Sequence, residues 1–504
     1  DGYGVGDPQC LCGATGDFRA LVPGDCVDTD PTQSPGQPEV CGGDTDDNCD
    51  GVKDEAGAVG CFAHFVDVDG DGFGDPTTEI CLCAPSGGAV GEGGDCDDTP
   101  VTGFGVNPGV TEACNASDDD CDGVIDNGCG MATAGWPTYK YDGRRTGHRK
   151  DVEGPDTNTL AWKVVLPTTD RGVETSPLVL TDGHILYAYN DVVYKLARPD
   201  GAILWQTTLP VGFTNSQQTE PRAGPTVREG GTIYVPTGNG MSLLAPDGTL
   251  LWHKSLGPDP EDAVRGTPLV DEDGDAYFIS NKFFTRMNPA GDIVWQLSIP
   301  NVQYTPGHAA WNLAQDRMYF TATNHVTYAV ERSGFVAWTF IDTGADIDGS
   351  CTVGADGLIY SSMGRFIYKI EDQGFNALQQ GVYDTGQDID SCPAIYDDGA
   401  AEHVWIKPNG SNNDLLKISA ASMTLEGGYD LNSNGGPASA PVFDADGDVY
   451  MGAGSGATFH ALRQDTTVKW TFGLDNNLSD GTAALGPGFV VFSDNGGVVY
   501  LIAD

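Results

Sequence analysis

The nine residues "DVDGDGFGD" (67–75) place Asp67, Asp69, Asp71 and Asp75 at odd positions of one short loop, with glycines between them. Carboxylates at that spacing suit a hard cation. Calcium takes six to eight oxygens at about 2.3–2.6 Å, and a loop with oxygens at positions 1, 3, 5, 7 (a backbone carbonyl) and 9, and glycine at 6, wraps one ion. Asp67, Asp69, Asp71, the Phe73 carbonyl and Asp75 fit, with Gly72 in sixth place. "DDNCDGVKD" repeats the pattern with Asp46, Asn48, Asp50, the Val52 carbonyl and Asp54. Asp118, Asp120, Asp122, the Val124 carbonyl and Asp126 repeat it again. None has Glu at position 12, where Thr78 stands in the first loop, so none is a full EF-hand. The missing ligands are expected from Asp25, Asp28 and Asp30 in one copy and Asp95, Asp97 and Asp98 in the other. Asp and Gly also make turns without any metal, but three loops with one pattern favour several bound Ca2+ ions.

The chain opens on "DGYGVGD", which reads as the same loop without its first half. With Tyr3 aligned on Phe73, Asp1 is the fifth loop position, Val5 falls where Asp75 sits, and Asp7 comes two places later. The expectation is that residues upstream complete a calcium site or a further repeat. Softer metals are disfavoured, because the cysteines are expected to be oxidised and His64 is the single histidine of this segment.

These loops sit in an unusual background. The chain has 504 residues and a formal charge of -48. Residues 1–130 hold 28 acidic and 2 basic residues, or -26; the remaining 374 hold 45 and 23, or -22. Nucleic acid is excluded as a partner, because phosphate binding needs Lys and Arg. Cations are the natural counterpart, although acidity also serves solubility. Twelve of the 14 cysteines (Cys10, Cys12, Cys26, Cys41, Cys49, Cys61, Cys81, Cys83, Cys96, Cys114, Cys121 and Cys129) fall in residues 1–130. That density marks a disulfide scaffold outside the cytosol. No apolar run of about 20 residues exists to span a membrane, and no signal peptide is visible. The expectation is therefore a mature, exported bacterial chain, extracellular or at the cell surface.

Two copies of one module align over 1–66 and 67–130. Cys10-Leu-Cys12 matches Cys81-Leu-Cys83, "GDCVDTD" matches "GDCDDTP", "PGQPEVC" matches "PGVTEAC", and "DDNCDGVKD" matches "DDDCDGVID". Six cysteines per copy allow three disulfides each, with connectivity open. Segments so rich in Gly, Pro and Asp bury little apolar surface, so disulfides and metal must staple them. The run DxDGDGxGD, CxC, GDCxD, PGxxExC, DxDCDGxxD resembles the metal-binding repeat of secreted myxobacterial and other bacterial surface proteins. That family is named for a copper-binding surface protein. No copper-type His or Met constellation stands here, so copper is not carried over.

After residue 130 the composition changes. Residues 131–159 read as a linker and lead-in, and 160–504 carry a period. Trp162, Trp205, Trp252, Trp295 and Trp338 are spaced 43, 47, 43 and 43, and Trp470 follows 132 later. The two missing positions fall near "NALQQGVYD" (376–384) and "TLEGGYDLN" (424–432). Such a period of short strands and Asp-Gly turns reads as a β-propeller. First strands near 175, 223, 266, 308, 350, 391, 439 and 481 make eight blades. The last lacks its Trp strand, and 160–166 is expected to close it. The expected fold class is thus mainly β, an eight-bladed propeller preceded by a loop-rich, disulfide- and calcium-stapled module. "GWPTYKYDGRRTGH" (135–148) and the blade signatures "DGAILW", "DGTLLW" and "GDIVW" resemble the PQQ-like β-propeller family. That label does not imply the cofactor. Quinoprotein dehydrogenases of this fold usually carry adjacent cysteines in the cofactor site. Here Cys351 and Cys392 are 41 apart, either one disulfide across neighbouring blades or two free thiols. No PQQ is expected.

No GxSxG, HExxH or Walker loop is present. His308 and His460 read as packing or surface groups. "DEDGD" (271–275) and "DADGD" (444–448) resemble the calcium loops but sit where blade turns belong, and the turn reading is favoured. Asp346, Asp348, Asp388 and Asp390 are candidates for an acidic channel rim or solvated loops. Three readings stay open. The first is a secreted calcium-binding structural or adhesive protein that associates with itself as a homo-oligomer or filament. The second is a monomeric surface propeller for proteins or glycans. The third, least favoured, is a quinoprotein-like enzyme.

Overall fold

The computed structural model describes residues 2–7, 13, 16, 19–100, 103–111, 118–121, 135–167, 175–189, 191–210, 223–257, 264–300, 307–342, 350–389, 391–408, 414–431, 439–453, 457–477 and 481–504. It divides into two compact units. One comprises 1–113 and 117–125, the other 114–116 and 126–504. Among the described residues, no helix is long and apolar enough to cross a membrane.

The first unit is held together with almost no apolar core. Its buried hydrophobic residues, among those described, are Ala58 and Ala89. Its buried polar residues are Asp25, Ser34, Glu39, His64, Asp95, Asn107 and Asp119. The duplication is visible in the hydrogen bonds. Tyr3–Gly4 pairs in parallel with Val22–Pro23, as Phe73–Gly74 does with Glu92–Gly93. The Gly4 carbonyl accepts from the amides of Gly24 (3.1 Å) and Asp25 (3.3 Å), and the Gly74 carbonyl accepts from Gly94 (3.1 Å) and Asp95 (3.3 Å). The alignment of Tyr3 with Phe73 thus holds in space. Between these pairs, Phe62–Val66 lies antiparallel to Ile80–Leu82 and to Ala89–Val90.

Four disulfides replace the missing core. Cys26–Cys49 and Cys96–Cys121 are equivalent bonds within the two copies. Cys41–Cys83 and Cys61–Cys81 cross from the first copy to the second. These bonds supply the connectivity that the sequence left open: the CxC of the second copy clasps the first. The physical reason is the antiparallel pairing of Phe62–Val66 with Ile80–Leu82, which sets Ala63 opposite Cys81 and brings Cys61 within reach of it. Cys10, Cys12, Cys114 and Cys129 lie outside the described residues. Closing loops of 20 to 42 residues restricts the unfolded chain by about 3–4 kcal/mol per bridge.

In the second unit the described strands form eight four-stranded antiparallel sheets. Their first strands are Leu178–Val179, Thr226–Val227, Leu269–Val270, Ala310–Trp311, Cys351–Val353, Ala394–Asp397, Val442–Phe443 and Ala484–Gly486. The eighth sheet is completed by Leu160–Val165, which pairs antiparallel with Val498–Ala503. The closing strand expected from the sequence is therefore the one observed. First strands are buried, whereas fourth strands alternate, as in Ile203–Thr208.

The tryptophan period has a mechanical cause. Five of the six fourth-strand indoles donate towards the turn before the next sheet's fourth strand, whereas Trp205 Nε1 is buried without a partner. Trp162 donates to the Arg198 carbonyl (2.5 Å), Trp252 to Pro289 (2.8 Å), Trp295 to Arg332 (2.7 Å), and Trp470 to Pro155 (3.0 Å). Trp338 donates to the Asp372 carboxylate at 2.9 Å. The glycine of the Asp-Gly turn lies under the ring. A side chain at Gly248 would meet Trp205 at 2.6 Å. At the two positions without tryptophan, Gly381 and Gly427 stand opposite Lys369 and Lys417. The lysines supply the missing donor, Lys369 to the Ala420 carbonyl (2.7 Å) and Lys417 to that of Gln464 (3.3 Å).

The segment expected as the propeller lead-in is bonded to all eight sheets. Residues 136–149 bond to the first strand of every sheet, or to the residues leading into it. Trp136 exchanges amide bonds with Val179, and the Pro137 carbonyl accepts from Val227. Arg145 donates to the carbonyls of Thr267 (2.9 Å) and Ala309 (3.0 Å). The carbonyls of Gly143, Arg144, Thr146 and Gly147 accept from Trp311, Val353, Ile395 and Phe443. Arg149 reaches the Leu485 carbonyl at 2.9 Å. Lys140, fully buried, donates to Thr352 Oγ1 at 3.1 Å and to the Pro393 carbonyl. Non-glycine residues at positive φ (Lys140, Tyr141, Arg145) let this strap turn tightly.

Two expectations follow. Arg145→Ala strands several buried carbonyls and is expected to lower unfolding free energy by more than about 3 kcal/mol, read by denaturant titration. Lys369→Met removes one charged interblade donor and is expected to cost about 1–3 kcal/mol in the same assay.

Candidate metal centre

In the loop 67–75 the aspartates at positions 1, 3 and 5 come together. Asp67 accepts from the amides of Gly70 (2.6 Å) and Gly72 (3.1 Å), Asp69 from Asp71 (3.1 Å), and Asp71 from Phe73 (2.9 Å). Gly70 and Gly72 take φ of 87° and 103°, which a side chain would resist. Asp67, Asp69 and Asp71 each offer an oxygen within 4.8 Å of the others. Asp98 comes from the second half of the copy and accepts from Val68 (2.6 Å) and Asp69 (3.2 Å). Asp69, Asp95 and Asp98 form a second group within 4.8 Å. Asn107, not anticipated from the spacing, donates to Asp71 at 2.6 Å.

Two oxygens stand out. Asp95 is 2% exposed and its Oδ2 has no hydrogen-bond partner; Asp69 Oδ2 is likewise buried and unpartnered. Loss of hydration, then the neighbouring carboxylates, raises the pKa of both groups. A cation among these oxygens would offset that cost. The first copy repeats the feature: Asp25 is 6% exposed, one oxygen accepts from Val27 at 2.8 Å, and the other is unpartnered.

Other sequence candidates are placed differently. Asp75 caps Thr77 (2.8 Å) and Asp30 caps Thr32 (3.0 Å), so neither joins a group; Asp28 and Asp7 are exposed. In the loop 46–54, Asp46 accepts from Asp50 (3.1 Å) and Gly51 (2.9 Å), Asn48 from Asp50 (2.9 Å), and Asp50 from Val52 (2.8 Å). Asp54 turns away, with φ 51°, to accept from Gly42 at 3.2 Å. It lies beside Cys41 and Cys83, but those sulfurs are joined to each other and are not thiolates. Glu39 was missed. Buried, it holds the amides of Asp47 (3.0 Å), Asn48 (3.2 Å) and Asp54 (3.2 Å). The signal was its recurrence as the glutamate of "PGQPEVC" and "PGVTEAC". Asp97, Asp118 and Asp120 are half-buried. Asp1, Asp122, Val124, Asp126, Asp346, Asp348 and Asp390 lie outside the described residues.

In the second unit the blade "DxDGD" loops are turns. Asp271 accepts from the amides of Asp273 and Asp275 and from Tyr277 Oη (2.8 Å); Asp444 does the same with Asp446, Asp448 and Tyr450 (3.0 Å). Cys351 and Cys392 are free, buried thiols, which corrects the disulfide alternative. Cys351 contacts Thr321 Oγ1 at 3.2 Å, Cys392 contacts Ser350, and burial pushes the Cys351 thiol up to about 11. His308 stacks on Tyr139 at 3.8 Å, and His460 is buried, both packing groups as expected.

The family model described as outer membrane protein assembly factor BamB matches residues 152–347. The Cu-binding MopE metal-binding motif matches residues 25–55 and 95–127. The chain therefore carries a tandem metal-binding motif followed by a BamB-like, PQQ-like propeller domain. Among solved structures it is similar to BamB from Moraxella catarrhalis, at 15% identity over 69% of this chain and 97% of that one, with a TM-score of 0.52. It is similar to a europium-containing methanol dehydrogenase at 14% identity, 74% and 98% coverage, and a TM-score of 0.55. A quinohemoprotein alcohol dehydrogenase from Comamonas testosteroni gives 12%, 74% and 81%, and 0.55. At these identities the likeness is one of fold. No curated protein matches the chain.

Because Asp69 and Asp95 hold protons more tightly than ordinary carboxyls, protons compete with the cation at higher pH than usual. Divalent-cation affinity is expected to fall as pH is lowered towards the carboxyl range, with proton release on binding there, by calorimetry. The cation-free module has the opposite sign. Its raised carboxyls bind protons before the unfolded chain does, so it gains stability as pH falls towards the ordinary carboxyl range.

Proposed function

We propose that this protein is an exported, calcium-loaded structural or adhesive component of a bacterial surface or extracellular matrix. Its body is an eight-bladed propeller, and its acidic module is stiffened by several Ca2+ ions and by disulfides. The observation that carries this reading is the pair of equivalent buried carboxylates, Asp25 and Asp95, each with an unpartnered oxygen, in a unit whose described apolar core is two alanines. Their setting is all oxygen, which suits a hard cation; the described cysteines there are bonded in pairs, and His64 Nδ1 is engaged with the Phe62 carbonyl at 2.9 Å. Disulfides support an oxidising compartment. Cation bridging between acidic surfaces would then join copies into a homo-oligomer or filament.

A second reading, a monomeric binding propeller for a surface protein or glycan, is favoured by exposed apolar residues on blade turns: Leu313, Phe335 and Phe375. Catalysis of the quinoprotein kind is weighed down by the strap. A planar quinone held where the eight first strands converge needs a cavity, and Tyr139, Lys140 and Arg145 fill that place with buried side chains. Among the described residues, these side chains do not fit the group.

Light scattering with calcium and then with a chelator tests the first reading. Large assemblies that fall to monomers on chelation are expected. A monomer under both conditions would leave the monomeric propeller as the better reading.

A further inference from the structure

The loop 67–75 lies outside both segments matched by the metal-binding motif, which resumes only at residue 95. Yet it folds against Asp95 and Asp98. Five carboxylates meet there, and they fall into two groups rather than one. Asp67, Asp69 and Asp71 lie within 4.8 Å of one another, and so do Asp69, Asp95 and Asp98. Oxygens on one calcium ion at 2.3–2.6 Å lie at most about 5 Å apart. Asp67 and Asp71 share that reach with Asp69, and Asp95 and Asp98 share it with Asp69, but the five do not form a single group.

We propose that this place is a two-cation centre in which the Asp69 carboxylate bridges the ions. One ion is held by Asp67, Asp69 and Asp71, and the other by Asp69, Asp95 and Asp98. The proposal rests on the reading of the module as cation-loaded and adds the number of ions and the bridge.

Three observations beyond the acidic cluster support it. Asp95 is 98% buried by its 2% exposure and keeps Oδ2 without a partner. Asp69 uses Oδ1 for the Asp71 amide (3.1 Å) and leaves a buried Oδ2 unpartnered, as a bridging carboxylate requires. A backbone carbonyl lies beside that oxygen. An added side-chain carbon at Gly103 would meet both Asp69 Oδ2, at 2.3 Å, and the Asp97 carbonyl oxygen, at 1.9 Å, so glycine there lets the two oxygens pack together against the chain. Charge gives the same count. Five carboxylates carry -5. One divalent ion leaves -3, and two leave -1, which a partly buried site tolerates far better. Carboxylate-bridged pairs of ions elsewhere sit about 3.5–4 Å apart.

The test counts calcium on the full chain by native mass spectrometry, comparing wild type with Asp67→Asn, Asp98→Asn, the double variant and Asp69→Asn. The expected losses are one, one, two and two ions. If the double variant loses the same single ion as each single variant, one ion sits there and the bridge is wrong. If wild type binds no calcium, the cation-loaded reading itself fails, which is a distinguishable result. A measurement on the unaltered chain guards against variants that misfold. Loading with Mn2+ is expected to give an exchange-coupled paramagnetic resonance spectrum. Isolated six-line signals alone, at full loading, would overturn the proposal.

Discussion

A carboxylate that leaves water needs a counter-charge, and the first unit is organised around that need. Asp25, Glu39, Asp95 and Asp119 are buried where most small domains place leucine and valine. Some of the demand is met by backbone amides, as Glu39 meets those of Asp47, Asn48 and Asp54. What amides cannot meet is concentrated at Asp69 and Asp95, where burial and neighbouring negative charge both oppose ionisation. Disulfides then fix the loops that would otherwise spring apart. The clasp of Cys81 and Cys83 on Cys61 and Cys41 makes the two copies one cooperative body rather than beads on a string.

The second unit solves the opposite problem. Its sheets have ample apolar surface, but a ring of sheets leaves the edges of its first strands facing an axis, where unpaired amides and carbonyls are costly. The strap of residues 136–149 satisfies strands of all eight sheets with backbone groups and the guanidiniums of Arg145 and Arg149. This arrangement makes the axis a mechanical hub. At the rim, indole donors and, in two places, lysine donors join seven of the eight pairs of neighbouring sheets. The substitution of Lys369 over Gly381 and Lys417 over Gly427 keeps the hydrogen bond while changing its source.

Taken together, the described parts of the two units share one strategy, which is to satisfy polar groups by local cross-linking. It explains why sequence motifs resembling calcium loops differ in outcome. In "DEDGD" and "DADGD" the leading aspartate is saturated by two amides and a tyrosine hydroxyl. In "DVDGDGFGD" the central aspartate keeps an unpartnered oxygen.

The sequence by itself determined the local periodicities. The 43-residue tryptophan spacing marked the sheets, the lone strand at 160–166 marked the closure, and the 1-3-5-6 spacing marked the inward-facing aspartates. These follow from backbone geometry over a few residues, which spacing encodes directly. Only the tertiary structure decided what required residues far apart in the chain. It paired Cys41 with Cys83, turned Asp54 and Asp75 away from their loops to cap other amides, and brought Asp95 and Asp98 to Asp69. It also showed how the lead-in at 136–149 straps the first strands of the eight sheets. Composition could not reveal that, because the strap's role lies in backbone carbonyls that every sequence has, placed by φ angles that Lys140, Tyr141 and Arg145 rarely adopt.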